Sequence, residues 1–164
     1  MTADELIKLL DLTPHPEGGF YRETYRSRGK IPKALLPKDF SGDCAYATAI
    51  YYLLIPGAVS RFHRLKTEEV FHFYLGDPIT WVILHPSGQK EQVTLGPSIQ
   101  HGHHLQFVVP AGVWFGGYLN DGGKFGLMGA TVSPGFEFVD FEVANRETLL
   151  KQHPAFRKEI ERLT

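Results

Sequence analysis

One cysteine, Cys44, is all the chain has, so no internal disulfide can staple it. No apolar run reaches the ~20 residues that a membrane helix needs. The stretch AYATAIYYLLIPG over 45–57 is stopped by Pro56 and Gly57. The opening MTADELIKLLDL has neither the basic start nor the long apolar segment of a secretory signal. Charge of one sign is scarce too. The 17 Lys and Arg stand against 18 Asp and Glu, giving a net charge of -1, and no basic stripe is available to follow a phosphate backbone. These absences predict a soluble, cytoplasmic protein that partners neither nucleic acid nor membrane.

The 164 residues suffice for one domain, 1–164, built around one core. Thr2 followed by Glu5 has the form of a capping box, and Leu6, Leu9 and Leu10 supply an apolar stripe, predicting a helix over 3–11 that TPHPEGG ends. From Phe20 to about Phe141 the pattern changes. Short segments rich in Tyr, Phe, Val, Ile and Thr alternate with Pro and Gly clusters, which predicts antiparallel strands at 19–27, 45–55, 58–65, 69–75, 79–85, 90–95, 104–109, 113–119, 124–132 and 136–143. That many short strands imply a sandwich or jelly roll. The Lys- and Pro-bearing stretch 28–43 is expected to be a surface loop. Asn145 can cap a C-terminal helix that Pro154 breaks before a second short one.

Within GAVSRFHRLKTEEVFHFYLG, the positions of Gly57, His63, Glu69 and Gly76 resemble the first motif of the cupins, whose second His is replaced here by Leu65. PAGVWFGGYL keeps Pro110 and Gly112 of the second motif and sets Phe115 where the fourth ligand His belongs. One imidazole and one carboxylate are fewer than the three or more protein ligands usual at catalytic sites, so neither a metal nor another cofactor is expected. His72 has the opposite strand parity from Glu69, and His101, His103 and His104 lie in a Gly-containing loop ahead of a strand. Neither set is expected to complete a metal site.

Four blocks, HPEGGFYRETYRS, FHRLKTEEVFHFYLG, VVPAGVWFG and TVSPGFEFVDFE, together resemble the cupin_5 branch over most of residues 2–164. The resemblance implies an all-β double-stranded β-helix, the cupin jelly roll, with short N-terminal and C-terminal helices, pairing into homodimers through the N-terminal strands. It implies no established reaction. A small-molecule-binding pocket is the expected function, with Arg61, His63 and Glu69 meeting in the barrel. His63 is expected to border an open cavity, so that its loss costs little stability.

An anionic, nucleotide- or sugar-like ligand would be held by Arg22, Arg26 and Arg61, whose guanidinium forks match phosphate and carboxylate. Tyr21, Tyr74, Gln106 and Trp114 would contact a ring and its edges, with His72 and Asp140 completing the candidate set. Trp114, Phe71, Phe73 and Phe115 also suit a packed core. An alternative follows from similarity to metal-free cupin epimerases of nucleotide-diphosphate sugars. There His63 would be the base and Glu69 or Asp140 its orienting carboxylate. The donor Tyr of those enzymes has no counterpart in KFGLMGATV, and Tyr118 is a displaced substitute. A storage-type structural cupin is the third reading, and the retention of Arg61, His63 and Glu69 speaks against it.

Overall fold

The computed structural model describes all 164 residues. In chain order the elements are α1 (Ala3–Leu9), β1 (Thr13–Pro14), β2 (Phe20–Arg26), β3 (Lys30–Ile31), β4 (Cys44–Ala45), β5 (Thr48–Leu54), β6 (Val59–Arg64), β7 (Glu69–Gly76), β8 (Ile79–Leu84), β9 (Lys90–Leu95), β10 (Gln106–Val109), β11 (Trp114–Leu119), β12 (Gly126–Val132), β13 (Glu142–Val143), α2 (Arg146–Gln152) and α3 (Arg157–Arg162). One sheet runs β1-β2-β5-β12-β7-β10 and the facing one β13-β6-β11-β8-β9, and every pairing within them is antiparallel. This is the two-sheet jelly roll expected from the alternating segments. No helix is long and apolar enough to cross a membrane.

β8 explains the layering. All six of its residues, ITWVIL, are buried. Ile79, Trp81 and Ile83 enter the core between the sheets with Phe71, Phe107 and Phe115. Val82 and Leu84 point the other way, packing with Leu149, Ile160 and Leu163 of the C-terminal helices. A strand covered on both faces reads as an unbroken apolar run because both side-chain parities lose water. At the other end of the molecule, α1 is capped by the reciprocal Thr2–Glu5 bonds and lays Leu6 against Leu53, Phe125 and Leu127.

Two expectations change. The segment 136–143 is mostly not a strand: Phe138–Asp140 form a 3-10 turn, and only Glu142 and Val143 pair with β6. The Phe136 N–H bonds the Thr48 hydroxyl rather than a ladder carbonyl, and Phe136, Phe138 and Phe141 cluster edge to face instead of alternating across a sheet. Ring packing overrides strand propensity there. The loop 28–43 also carries the short β3, paired with β4, and a 3-10 turn at Lys33–Leu35.

Candidate functional site

A cavity of about 270 Å³ opens in the barrel, with His15, Glu17, Tyr52, His63 and Glu69 among its lining residues and aromatic walls from Phe71, Phe136, Phe138 and Phe141. Its volume lies just below the usual range for small-molecule sites. Two pieces of backbone build its polar end.

The first is the turn HPEGG. The His15 N–H bonds the Gly19 carbonyl and the Gly18 N–H bonds the His15 carbonyl, folding residues 15–19 back on themselves. Gly18 sits at φ 117°, where a Cβ would lie 2.0 Å from the Val59 carbonyl oxygen, so only glycine lets this strap pass against β6. The Tyr52 hydroxyl donates to the Gly18 carbonyl at 2.8 Å and fastens the strap to β5.

The second is a bulge in β6. Phe115 pairs with His63 but Gly117 with Ser60, so Arg61 and Phe62 together oppose Gly116. Ser60 and His63 are thereby both directed to the strap. Phe62 goes to the outer helix cluster, and Arg61 is exposed. The Arg61 N–H and side chain grip the Glu17 and Pro16 carbonyls. Arg61 thus holds the strap from outside and does not line the cavity.

Glu17 is the hub. Its Oε1 accepts the Ser60 hydroxyl at 2.8 Å, while Oε2 lies 3.2 Å from His63 Nε2 and 3.5 Å from His15 Nδ1. His63 Nδ1 contacts the Arg61 carbonyl at 2.7 Å, and since a carbonyl only accepts, that nitrogen carries a proton. Nε2, on the other side of the ring, faces Glu17 Oε2. Both His63 nitrogens are therefore engaged with protein. The ring is only 2 % exposed and packs 4.1 Å from Phe115, which makes it a buried anchor and corrects the picture of a residue bordering open solvent.

His15 accepts the Glu17 N–H on Nδ1 at 3.3 Å. Burial, with His63 adding to it, lowers its pKa against the pull of Glu17, so the ring is neutral and Nε2 carries the hydrogen. Glu69 is the opposite case. Burial first, and the negative charge of Glu17 second, push its pKa well above the usual carboxylate range. Its Oε2 is buried without a hydrogen-bond partner. Burial likewise raises Tyr52, helped by Glu17. One cavity therefore holds a carboxyl pushed toward its protonated form, a neutral imidazole and a carboxylate–imidazole contact.

Of the residues singled out from the sequence, Tyr21, Arg26, His63 and Glu69 line this cavity. Arg26 stands there already bonded to Glu23 and Glu137 and to the Phe136 carbonyl. The others are elsewhere. Arg22 lies over the Tyr51 ring, Tyr74 is exposed and edge-on to Tyr51, His72 bonds the Thr131 hydroxyl, and Gln106 is its cross-strand neighbour. Trp114 belongs to the helix cluster beneath Arg64. Asp140 pairs with Lys66 and accepts the Ser41 N–H. His72, expected among the ligand contacts, keeps the strand parity opposite to Glu69, because the irregularity in β7 falls after Phe73.

Sequence reasoning passed over His15 and Glu17. Both sit in the irregular HPEGG turn, where no periodicity assigns a direction; two ionisable residues held between prolines and glycines were the available signal.

The donor set does not fit the metal site that the cupin motif implies. Leu65 and Phe115 occupy the vacated ligand positions as buried side chains, and no three His, Cys, Asp or Glu side chains are grouped to hold an ion. The 101–104 histidines serve the loop, with His103 Nδ1 accepting the Ser98 N–H.

The Cupin_5 model, described as Cupin superfamily (DUF985), matches residues 4–144. An uncharacterized Saccharomyces cerevisiae protein is 30% identical over 159 residues, which span 92% of this chain and 79% of that protein. A hypothetical protein from Leishmania major superposes with a TM-score of 0.92 at 30% identity, covering 100% of this chain and 99% of that one. A Shewanella oneidensis protein gives a TM-score of 0.89 at 38% identity, covering 100% and 98%. Bacillus subtilis oxalate decarboxylase matches with a TM-score of 0.55 over 94% of this chain and 38% of its own; at 16% identity the likeness is one of fold.

Proposed function

The chain belongs to the Cupin_5 family (DUF985) of the cupin superfamily, and we propose that its barrel cavity is a small-molecule site run by acid–base groups rather than by a metal. One observation carries this reading: the unpartnered, buried Oε2 of Glu69 among the lining groups of the barrel cavity. A buried oxygen without a donor is destabilising, and a cavity kept only for structure would gain by turning apolar.

The lining sets the ligand's character. Ten of its seventeen residues are hydrophobic, so a compact ring or hydrocarbon frame with one polar end suits it. A nucleotide- or sugar-like anion, the expectation from sequence, would meet a single guanidinium, that of Arg26, already committed to Glu23 and Glu137. The larger part of such a ligand would extend past the mouth. A thermal-shift screen of amines, alcohols, carboxylates, nucleotides and nucleotide sugars tests the site. A ligand at ~100 times its dissociation constant adds about 2.7 kcal/mol, and Glu69→Gln or His15→Ala should remove the shift. Failure of every class to move the melting temperature would sink the reading.

An isomerase reading rests on the same groups. Glu69, whose pKa is raised, would be the acid, but His63, the base expected from sequence, has its nitrogens engaged with Glu17 and the Arg61 carbonyl, so proton transfer at carbon requires one of these contacts to open. Deuterium uptake from solvent into a bound nucleotide-diphosphate sugar would support it; unlabelled substrate after long incubation would oppose it.

We also propose a homodimer. β1 covers only Phe20 and Tyr21 of β2, leaving the edge from Arg22 to Arg26 open to a second copy.

A further inference from the structure

Resting on the cavity being a ligand site, we propose that it takes an organic cation: a protonated amine or amidine on a compact hydrocarbon frame, its charge seated between Glu69 and Glu17 and its frame among the aromatic rings. Four observations converge on this class. Glu69 is 8 % exposed, lines the cavity and has an oxygen that no protein group reaches, and as a carboxylate it would take an N–H brought by the ligand. Of the three lining carboxyls, Glu23 is paired with the one lining guanidinium, Arg26, which leaves Glu17 and Glu69. That guanidinium has its donors spent on Glu23 at 2.9 Å, Glu137 at 2.6 Å and the Phe136 carbonyl at 3.0 Å, leaving no free fork for an anion. The walls are aromatic, and ring faces carry the negative side of the quadrupole that attracts ammonium and amidinium groups.

Burial, and then the charge of Glu17, push the Glu69 carboxyl toward its protonated form in the free protein. When the cation arrives, Glu69 gives its proton to solvent and its carboxylate accepts the ligand N–H. The cavity then holds one new negative and one new positive charge, with one hydrogen ion released and no covalent bond changed. The groups facing this exchange are His15, Glu17 and Tyr21 from the strap and β2, Tyr52 from β5 and His63 from β6, with Glu23 and Arg26 at one side; β12 contributes only Ala130 and Val132. Affinity should therefore rise with pH, by up to about tenfold per unit, until free Glu69 itself ionises.

The test uses three probes of similar shape, 2-phenylethylamine, 2-phenylethanol and 3-phenylpropanoate, titrated calorimetrically at about pH 6 and 8 in buffers of different ionisation enthalpy. The expected result is a preference of about tenfold or more for the amine, with about one proton released per amine bound. Glu69→Gln should abolish the proton release and the preference. Selectivity and proton release are read on the unaltered protein, so an unfolded variant leaves the test intact. Equal or tighter binding of the alcohol or the carboxylate would overturn the proposal, as would amine binding without proton release. If all three probes are silent while the wider screen finds another ligand, the cation class fails and the site stands; if both are silent, both fail.

Discussion

His63 and Glu17 meet with Nε2 and Oε2 3.2 Å apart, joining a barrel strand to an irregular strap that precedes the first long strand. Each is almost fully buried, and each answers for the other's desolvation. His63→Ala and Glu17→Ala should therefore each destabilise by about 1–3 kcal/mol, since each leaves a buried polar partner unsatisfied. The double variant should lose less than the sum, with a coupling of about 0.5–3 kcal/mol in a urea-melt cycle. Additive losses would show that the contact is not the source of the stability.

Glu69 and His15 pull the pH dependence in opposite directions. Glu69 has a raised folded pKa, so as pH climbs above the ordinary glutamate value of about 4.3 the unfolded chain ionises there and the folded one does not. Stability falls with rising pH until the folded pKa is passed. Glu69→Gln should gain on the parent as pH rises above about 4.3. His15 has a lowered folded pKa, so below about pH 6.5 the unfolded state takes up a proton that the folded state refuses, and stability falls as pH drops. His15→Phe should lessen that acid-side loss. Urea midpoints across this range decide both; a Glu69→Gln curve parallel to the parent's would mean Glu69 is ionised in the fold.

The sheets were readable because their residues obey one period. β8 is buried on both faces and β7 alternates, and turn glycines such as Gly57 and Gly76 mark their ends. Glu69 and His63 were legible for the same reason, as they lie on strands at a fixed spacing. Arg61 was misplaced into the interior because a one-residue bulge reverses parity, and nothing local in VSRFHR signals it. His15, Glu17 and the Phe136–Phe141 rings were hidden by lying in irregular backbone, where direction is set by tertiary contacts alone. The candidate site is thus half strand and half strap, and only the strand half has a sequence pattern.

The open edge of β2 leads to the prediction on assembly. Tyr25 there is exposed, and Arg22 to Arg26 lack a neighbour on the outer side once β1 ends. Exposed edge groups are satisfied economically by the same strand of a second copy across a two-fold axis. Light scattering should give about twice the 18.5 kDa chain mass, and a stable monomer at micromolar concentration would defeat the idea.

The last prediction concerns the metal site that the spacing of Gly57, His63, Glu69 and Gly76 suggests. Two of the four ligand positions hold Leu65 and Phe115, and the remaining His63 has its nitrogens turned to Glu17 and the Arg61 carbonyl. Recruiting His63 to a metal would require breaking one of these contacts for a site with too few donors. Chelator should leave the melting temperature of purified protein unchanged, and zinc, manganese or nickel should not raise it. Leu65→His places a second imidazole among the cavity residues, close to His63 and Glu69 in the chain. That variant should gain a divalent-metal-dependent rise in melting temperature that Glu69→Gln then removes. A metal-dependent rise in the parent, lost with His63→Ala, would instead show that His63 leaves Glu17 to bind the ion, and the acid–base account of the cavity would have to be rebuilt around it.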